Sequence, residues 1–350
     1  MKIGITYNLK EEISPRAVLD SESTEEFDTT QTIDAICNVF QKNGYKTIRL
    51  GGGIEIVEKI KNEKVDFVFN IAEGYNGRNR ESHIPAILEM LNIPYSGSDP
   101  LTLGLSLDKT LTKKIALSAG IPTPRYKIVR EIEDLSVVEN KLRYPLITKP
   151  AWEGSSKGIY NSSKVYDKNE LKKNAIMLFE KYPNQPVMVE EYIEGKEITV
   201  GVIGNESPEI LGLMEIMNKT VTADEDFFYS LEVKRDWKKL VDYVSPPDIN
   251  GLFERHIKYY AISAFKEFGC RDIARIDFKI SKHNKVFMLE TNPLPGLSPE
   301  YADIAIMSQK LGIKYDNLIL SILNHALSRY GLTEENGKNT ARNDLNHEAI

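Results

Sequence analysis

Over its first hundred residues the chain alternates short apolar runs with stretches of helical periodicity, and this alternation narrows the possible folds more than any other feature. Lys2-Ile3-Gly4-Ile5-Thr6-Tyr7 reads as a strand. Ile33, Ile36, Cys37 and Phe40 then fall at helical spacing until Gly44 ends the pattern. A strand over 47–50, a helix over 54–61, a strand over 65–70 and a helix from about Glu81 to Leu91 follow. A β-α-β-α-β order of this kind predicts a parallel sheet with right-handed crossovers, and so an α/β fold. The acidic segment from Glu11 to Asp28 keeps no period and is predicted to be a long loop.

Beyond this unit, 106–119 reads as one helix closed by Gly120. Strands are predicted over 126–129, 144–149, 187–192, 197–203, 210–217, 273–280 and 285–291, with helices over 167–181, 250–268, 299–311 and 315–328. At 350 residues, 41% hydrophobic, the chain is long enough for two or three domains. The expected division is 1–104, 105–185 and 186–330, with a polar, disordered tail over 331–350. A formal charge of −6 argues against a nucleic-acid footprint but leaves room for a local basic cleft that holds a phosphorylated ligand. Cys37 and Cys270 are far apart and read as reduced, as in a cytoplasmic protein. The start MKIGITYNL has no long apolar region, and no window reaches the roughly 18 to 20 apolar residues of a span, so neither secretion nor a membrane partner is expected.

The chemistry concentrates in two late strands. In "IARIDFKI" Arg275 and Asp277 are two apart and face the same way, as do Glu290 and Asn292 in "MLETN". Either strand alone is more often a plain salt bridge at a sheet rim. Side by side, they would converge two carboxylates and an amide, hard oxygen ligands suited to Mg²⁺ that also carries water and phosphate. Upstream, "KPAWEGSSKG" delivers Lys149 from a strand into a turn of small residues whose N–H groups can approach phosphate oxygens. It is not a Walker A loop, and Gly51-Gly52-Gly53 lacks dinucleotide spacing. "VMVEEYIEGKEITV" reads either as a hinge that offers backbone groups to a purine or as an ordinary β-hairpin with an acidic tip.

Taken in order, "PYSGSDPLTLGLSLDKTLTKK", "YPLITKPAWEGSSKGI", "VMVEEYIEGKEITV", "FFYSLEVKRDW", "ARIDFKI" and "FMLETNPLPGLSP" resemble the ATP-grasp superfamily, in its D-alanine-D-alanine ligase branch, over roughly residues 1 to 325. The resemblance implies a parallel α/β domain followed by two α+β domains that clamp ATP. It implies a ligase of peptidoglycan synthesis that phosphorylates a carboxylate and couples it to an amine. ATP phosphates would meet Lys109, Lys149, Glu153, Ser155, Ser156 and Lys234, the last on a mobile loop spanning 222–234. The adenine would meet Glu190, Glu191, Tyr192, Ile193 and Leu289, and the ribose Glu197. Two Mg²⁺ ions, with Mn²⁺ able to substitute, would bind Asp277, Glu290 and Asn292. Arg275 and the Gly296 backbone would stabilise the oxyanion, with Ser156 and Lys234 also catalytic. The partners implied are small amino acids and, by analogy, a second subunit.

The substrate side departs from the pattern. The glutamate-bearing helix start expected after the first strand is absent, leaving Glu25 or Glu26 as substitutes for holding the first ammonium. Glu73-Gly74 replaces an expected His-Gly, Arg235 stands in place of a tyrosine, and "GLSPEYAD" replaces a serine-bearing turn. D-alanine is the default substrate, and another amino acid or peptide is the alternative. A catalytically dead ATP-binding protein is disfavoured by the presence of Arg275, Asp277, Glu290 and Asn292.

Overall fold

A computed structural model describes residues 1–12, 22, 24–219 and 228–332, so 13–21 and 23 of the expected long loop, 222–227 of the expected mobile loop with its acidic stretch 224–226, and the tail from 333 lie outside the described residues. Strands β1 (Lys2–Thr6), β2 (Lys46–Arg49) and β3 (Phe67–Asn70) form a parallel sheet in the order β2-β1-β3. Ile3, Ile5, Phe67 and Phe69 are buried on one face against the helices Thr30–Lys42 and Tyr315–Arg329. The first sheet therefore shares its core with the end of the chain. Arg329 strengthens the junction, donating to the buried Asp272 at 2.9 Å and to the Tyr95 carbonyl at 3.0 Å.

Strands β4 (Tyr126–Val129), β5 (Leu146–Pro150), β6 (Lys164–Val165) and β7 (Val187–Glu191) make an antiparallel sheet ordered β4-β7-β5-β6. Its apolar face packs on the helix Lys168–Lys181 through Leu171, Ala175 and Leu178. The larger antiparallel sheet, ordered β10-β9-β8-β11-β12, contains β8 (Gly195–Gly204), β9 (Glu209–Asn218), β10 (Val241–Val244), β11 (Asp272–Ser281) and β12 (Val286–Asn292). Ile198, Val200, Ala274, Ile276 and Phe278 bury its back against the helix Gly251–Glu267.

Two expectations needed correction. The helix read over 106–119 is two helices, Pro100–Leu107 and Lys109–Ser118. Asp108 breaks it with extended backbone, and its carboxylate caps the second helix by accepting from the Thr110 and Leu111 N–H groups. The strand signals at 187–192 and 197–203 do not pair as a hairpin, because β7 and β8 belong to different sheets. The residues between them cross from one sheet to the other. A Cβ at Gly195, where φ is +140°, would sit 2.0 Å from the Ile280 carbonyl oxygen, so the crossing brings two backbones together where only glycine fits. Strand β10 and the short helices Leu231–Arg235 and Trp237–Leu240 had no clear periodicity to announce them.

Candidate active site

Arg275, Asp277 and Lys279 alternate with buried Ala274, Ile276 and Phe278 on β11, so the three polar side chains share the face turned away from the core. Strand β12 runs antiparallel beside it, Arg275 opposite Asn292 and Asp277 opposite Glu290. The ladder then slips: Phe278 pairs with Met288, leaving Leu289 as an extra residue. Through this bulge the consecutive residues Leu289 and Glu290 both line one cavity, which a regular strand would forbid. The two strands are neighbours, as the metal-site reading of the sequence required.

That cavity, of about 150 Å³, lies between the two antiparallel sheets. It gathers Lys109, Lys149, Ser155, Ser156, Glu190, Glu191, Tyr192, Ile193, Glu197, Lys234, Arg275, Asp277, Leu289, Glu290 and Asn292. Two expected residues are not on its wall. Gly296 lies exposed on the loop past β12. Glu153 faces an adjoining cavity, its carboxylate accepting from Lys157 at 2.6 Å and Gln185 at 2.8 Å, while its carbonyl takes the Lys109 ammonium.

Arg275 is the centre of charge. It donates to Asp277 at 2.8 Å, to Glu290 at 3.4 Å and to Asp303 at 3.1 Å. Burial pushes the Asp277 carboxyl up to about 7 against the pull of Arg275, with Glu290 repelling it from across the ladder. Burial also opposes ionisation of Glu290, but Lys109, Arg275 and Lys149 outweigh it and hold this carboxyl below the usual range. Asp303, at the start of the helix Asp303–Lys310, was not anticipated as part of the cluster. Its sequence context, "YADIAI", carries no signal that separates it from a helix-start acid.

On the facing sheet Lys149 and Glu190 form a direct ion pair, with Lys113 on the other Glu190 oxygen at 2.6 Å and on the Thr123 hydroxyl at 2.8 Å. Burial opposes the Glu190 charge, yet Lys113 and Lys149 hold its carboxyl down at about 2. Burial lowers Lys113 to about 8. Lys113 went unremarked in the sequence, where it reads as one of many helix lysines. At the sheet crossing, the Glu191 N–H is spent on the Arg125 carbonyl at 2.9 Å. The Ile193 N–H has no partner among the described residues and fronts the cavity. Glu197 lies 3.5 Å from Lys279, and burial raises its carboxyl despite that lysine.

Two segments close the cavity. Ser155 and Ser156, at φ +50° and +60°, hold left-handed backbone that costs on the order of 1 kcal/mol each without glycine. The helix Leu231–Arg235 carries Lys234 and docks on the opposite loop, with Leu231 N–H on the Ile159 carbonyl at 2.8 Å and Ser230 Oγ on Asn161 at 2.7 Å. Burial and Arg275 both lower the affinity of Lys234 for its proton. Among the described residues of the acidic segment, Glu22, Glu25 and Glu26 tie the chain to these closures. Glu22 accepts from Tyr160 at 2.9 Å and Lys181 at 2.5 Å, Glu25 pairs with Arg235 at 2.6 Å, and Glu26 takes Arg80 at 2.6 Å, Lys157 at 3.0 Å and the Gly154 N–H at 2.9 Å.

The comparisons with known proteins agree with this arrangement. The family described as "D-ala D-ala ligase C-terminus" matches residues 115–324. A D-alanine–D-alanine ligase of Pelotomaculum thermopropionicum is 32% identical over 90% of this chain and 97% of its own length. One from Carboxydothermus hydrogenoformans is 34% identical over 86% and 94% respectively. Among solved structures, the D-alanine–D-alanine ligase of Bacillus anthracis complexed with ATP superposes with a TM-score of 0.74 over 95% of this chain and 98% of its own, at 24% identity, which establishes a shared ATP-grasp fold. With the family profile covering more than half of the chain and these relatives spanning nearly all of it, the protein belongs to the D-alanine–D-alanine ligase family.

Proposed function

We propose that this protein is an ATP-dependent carboxylate–amine ligase that joins two amino acids, with D-alanine as the default for both, and releases ADP and phosphate. The observation that carries the reading is one cavity in which Lys109, Lys149, Lys234 and Arg275 face Asp277, Glu290 and Asn292. A carboxylate is a poor electrophile, so its oxygen first takes the γ-phosphoryl group of ATP. An amine then displaces phosphate from the resulting acylphosphate. Positioning and charge neutralisation dominate the first step, and the three lysines supply both. Ser155, Ser156 and the neighbouring backbone cover the phosphates. The Glu191 carbonyl and Ile193 N–H read the purine edge with Tyr192 and Leu289 as walls, and Glu197 takes the ribose.

Asp277 and Glu290 oppose one another in register, with Asn292 two residues on, and burial drives Asp277 toward its neutral form. A paired, buried carboxylate set of this type fits a divalent cation. Mg²⁺ completes its shell with water and phosphate oxygens, so two carboxylates and an amide would be enough to hold it. Mg²⁺, or Mn²⁺ in its place, would neutralise phosphate charge. Arg275 stands ready to meet the oxyanion of the second step. Glu190 orients Lys149, and the lid segments exclude water from the acylphosphate.

The test is ATP-dependent phosphate release over a panel of D- and L-amino acids, with product mass. A D-alanyl-D-alanine product fixes the default reading, and no turnover with any acid or peptide overturns it. A different amino acid or peptide as substrate is favoured by one observation: Glu25 and Arg235, both at departures from the family pattern, pair with each other. Among the described residues no helix is long and apolar enough to cross a membrane. The reading places the enzyme in the cytoplasm as a homodimer, supported by the family resemblance and checked by light scattering.

A further inference from the structure

Next along the face of β11 that carries Arg275 and Asp277 stands Lys279, which lines the same cavity yet is only 4% exposed. The ladder with β8 sets it directly opposite Glu197. Its ammonium lies 3.5 Å from the Glu197 carboxylate, donates to the Gly195 carbonyl at 3.4 Å and stands 5.5 Å from the centre of the Tyr192 ring. One side chain therefore reaches both the carboxylate assigned to the ribose and the sheet crossing assigned to the purine. The crossing is held close, because Gly195 packs against the carbonyl of Ile280, the residue after Lys279. From the smaller sheet Lys164, on β6, brings a second ammonium to 4.0 Å from the same Tyr192 ring. Burial and the nearby acids Glu290 and Asp303 work against a charge on Glu197, and Lys279 is the cation that opposes them.

We infer that Lys279 is a positioning residue for nucleotide choice: it holds the Glu197 carboxylate in place for the ribose hydroxyls and so makes the cleft select ribonucleotides. The inference rests on the ligase reading above, in which Glu197 takes the ribose. An ionised carboxylate accepts hydrogen bonds from two adjacent hydroxyls, whereas a protonated one gives up acceptor capacity to its own proton. Keeping that charge at depth requires a cation beside it, and Lys279 is placed for the task by the strand register. The same ammonium holds the Gly195 carbonyl, so the seat of the sugar and the crossing that seats the base are registered on one group. Lys279 needs no contact with the nucleotide to act in this way. A lysine that merely cemented β8 to β11 would weaken every nucleotide alike when removed, and one that touched the nucleotide would act without Glu197.

The experiment is calorimetric titration of Mg-ATP, and of the Mg complex of 2′,3′-dideoxy-ATP, which lacks both hydroxyls, into the full chain. The proteins are the wild type, Lys279→Met, Glu197→Gln and the double variant Lys279→Met/Glu197→Gln. The ratio of the two Kd values reads the ribose contact alone. It is expected to be at least about tenfold in the wild type, the order of one charge-assisted contact, and to fall to within about threefold of unity in Lys279→Met and in Glu197→Gln. Because Lys279 acts through Glu197, Lys279→Met should add no further loss of ATP affinity in the Glu197→Gln background. A wild-type ratio in Lys279→Met overturns the assignment, as does an equal loss of both nucleotides, which marks general damage. A loss that persists in the Glu197→Gln background overturns it too, since Lys279 would then touch the nucleotide itself. A ratio unchanged in Glu197→Gln removes the ribose reading, and no ATP binding by the wild type removes the ligase reading; the assignment falls with either.

Discussion

The main cavity and the small acidic cavity beside it are built on opposite electrostatic plans. Around β5, β7 and β11 each buried carboxylate has a cation in contact: Glu190 sits between two lysines, and Asp277, Glu290 and Asp303 share Arg275. Around Glu73 and Glu81 like charges are packed together with the nearby cations pledged elsewhere. A matched site is stable when empty and accepts a ligand by exchange of partners. An unmatched one is strained when empty and gains from the ligand's own charge. The contrast teaches that one cleft can place a charge-paired frame and an unpaired acidic wall side by side.

The largest expected effect would break the comparison at its balanced end. Glu290→Ala should abolish phosphate release, a loss on the order of 10³-fold or more in kcat, with an unchanged circular dichroism spectrum; a fully active variant would refute the metal assignment. Next, Arg275→Lys keeps a charge but loses the fork that spans Asp277, Glu290 and Asp303. About 10²- to 10³-fold should go from kcat with little change in the ATP KM, measured by coupled ADP release.

The unbalanced half makes its own pH prediction. The folded Glu81 carboxyl is raised to about 7 from 4.5, so its contribution to stability is present below pH 4.5 and is lost as pH rises to 7. Glu26 and Glu190 are depressed to about 2, so theirs is present above 4.5 and lost as pH falls toward 2. Glu81→Gln should therefore melt a few degrees above wild type at pH 7.5 and no higher at pH 4.5, by scanning calorimetry, for a gain on the order of 2 kcal/mol. The smallest effect sharpens the line between neighbouring glutamates. Glu25→Ala removes a half-exposed pair with Arg235 worth about 0 to 1 kcal/mol, and the first amino acid KM should move less than about twofold.

Much of the balanced half was legible from periodicity. Alternation on "IARIDFKI" placed Arg275 and Asp277 on one face, and the resemblance supplied the lysines. What spacing could not supply was the bulge that lets Leu289 and Glu290 look the same way, since a slipped ladder depends on the partner strand. The split at Asp108 was missed because its capping bonds override a helical pattern that otherwise runs through. The hinge and hairpin readings of "VMVEEYIEGKEITV" could be separated only by seeing which sheet each strand joins. The ties made by Glu22, Glu25 and Glu26 had no period to read, because their order comes from partners 54 to 210 positions away. Glu73 and Glu81 stood out in the sequence only as a missing His-Gly pair and as a helix start.

Lys113 has a consequence for turnover. Under the proposed function, triphosphate oxygens would draw the Lys149 ammonium toward them, and Glu190 would not become a lone anion in the interior, because the second lysine, only 1% exposed, remains on its other oxygen. The carboxylate thus works as a spring seat with a permanent anchor on one side and a releasable one on the other. Each catalytic cycle can lend out one positive charge and recover it without exposing the protein to the full cost of a buried, uncompensated ion.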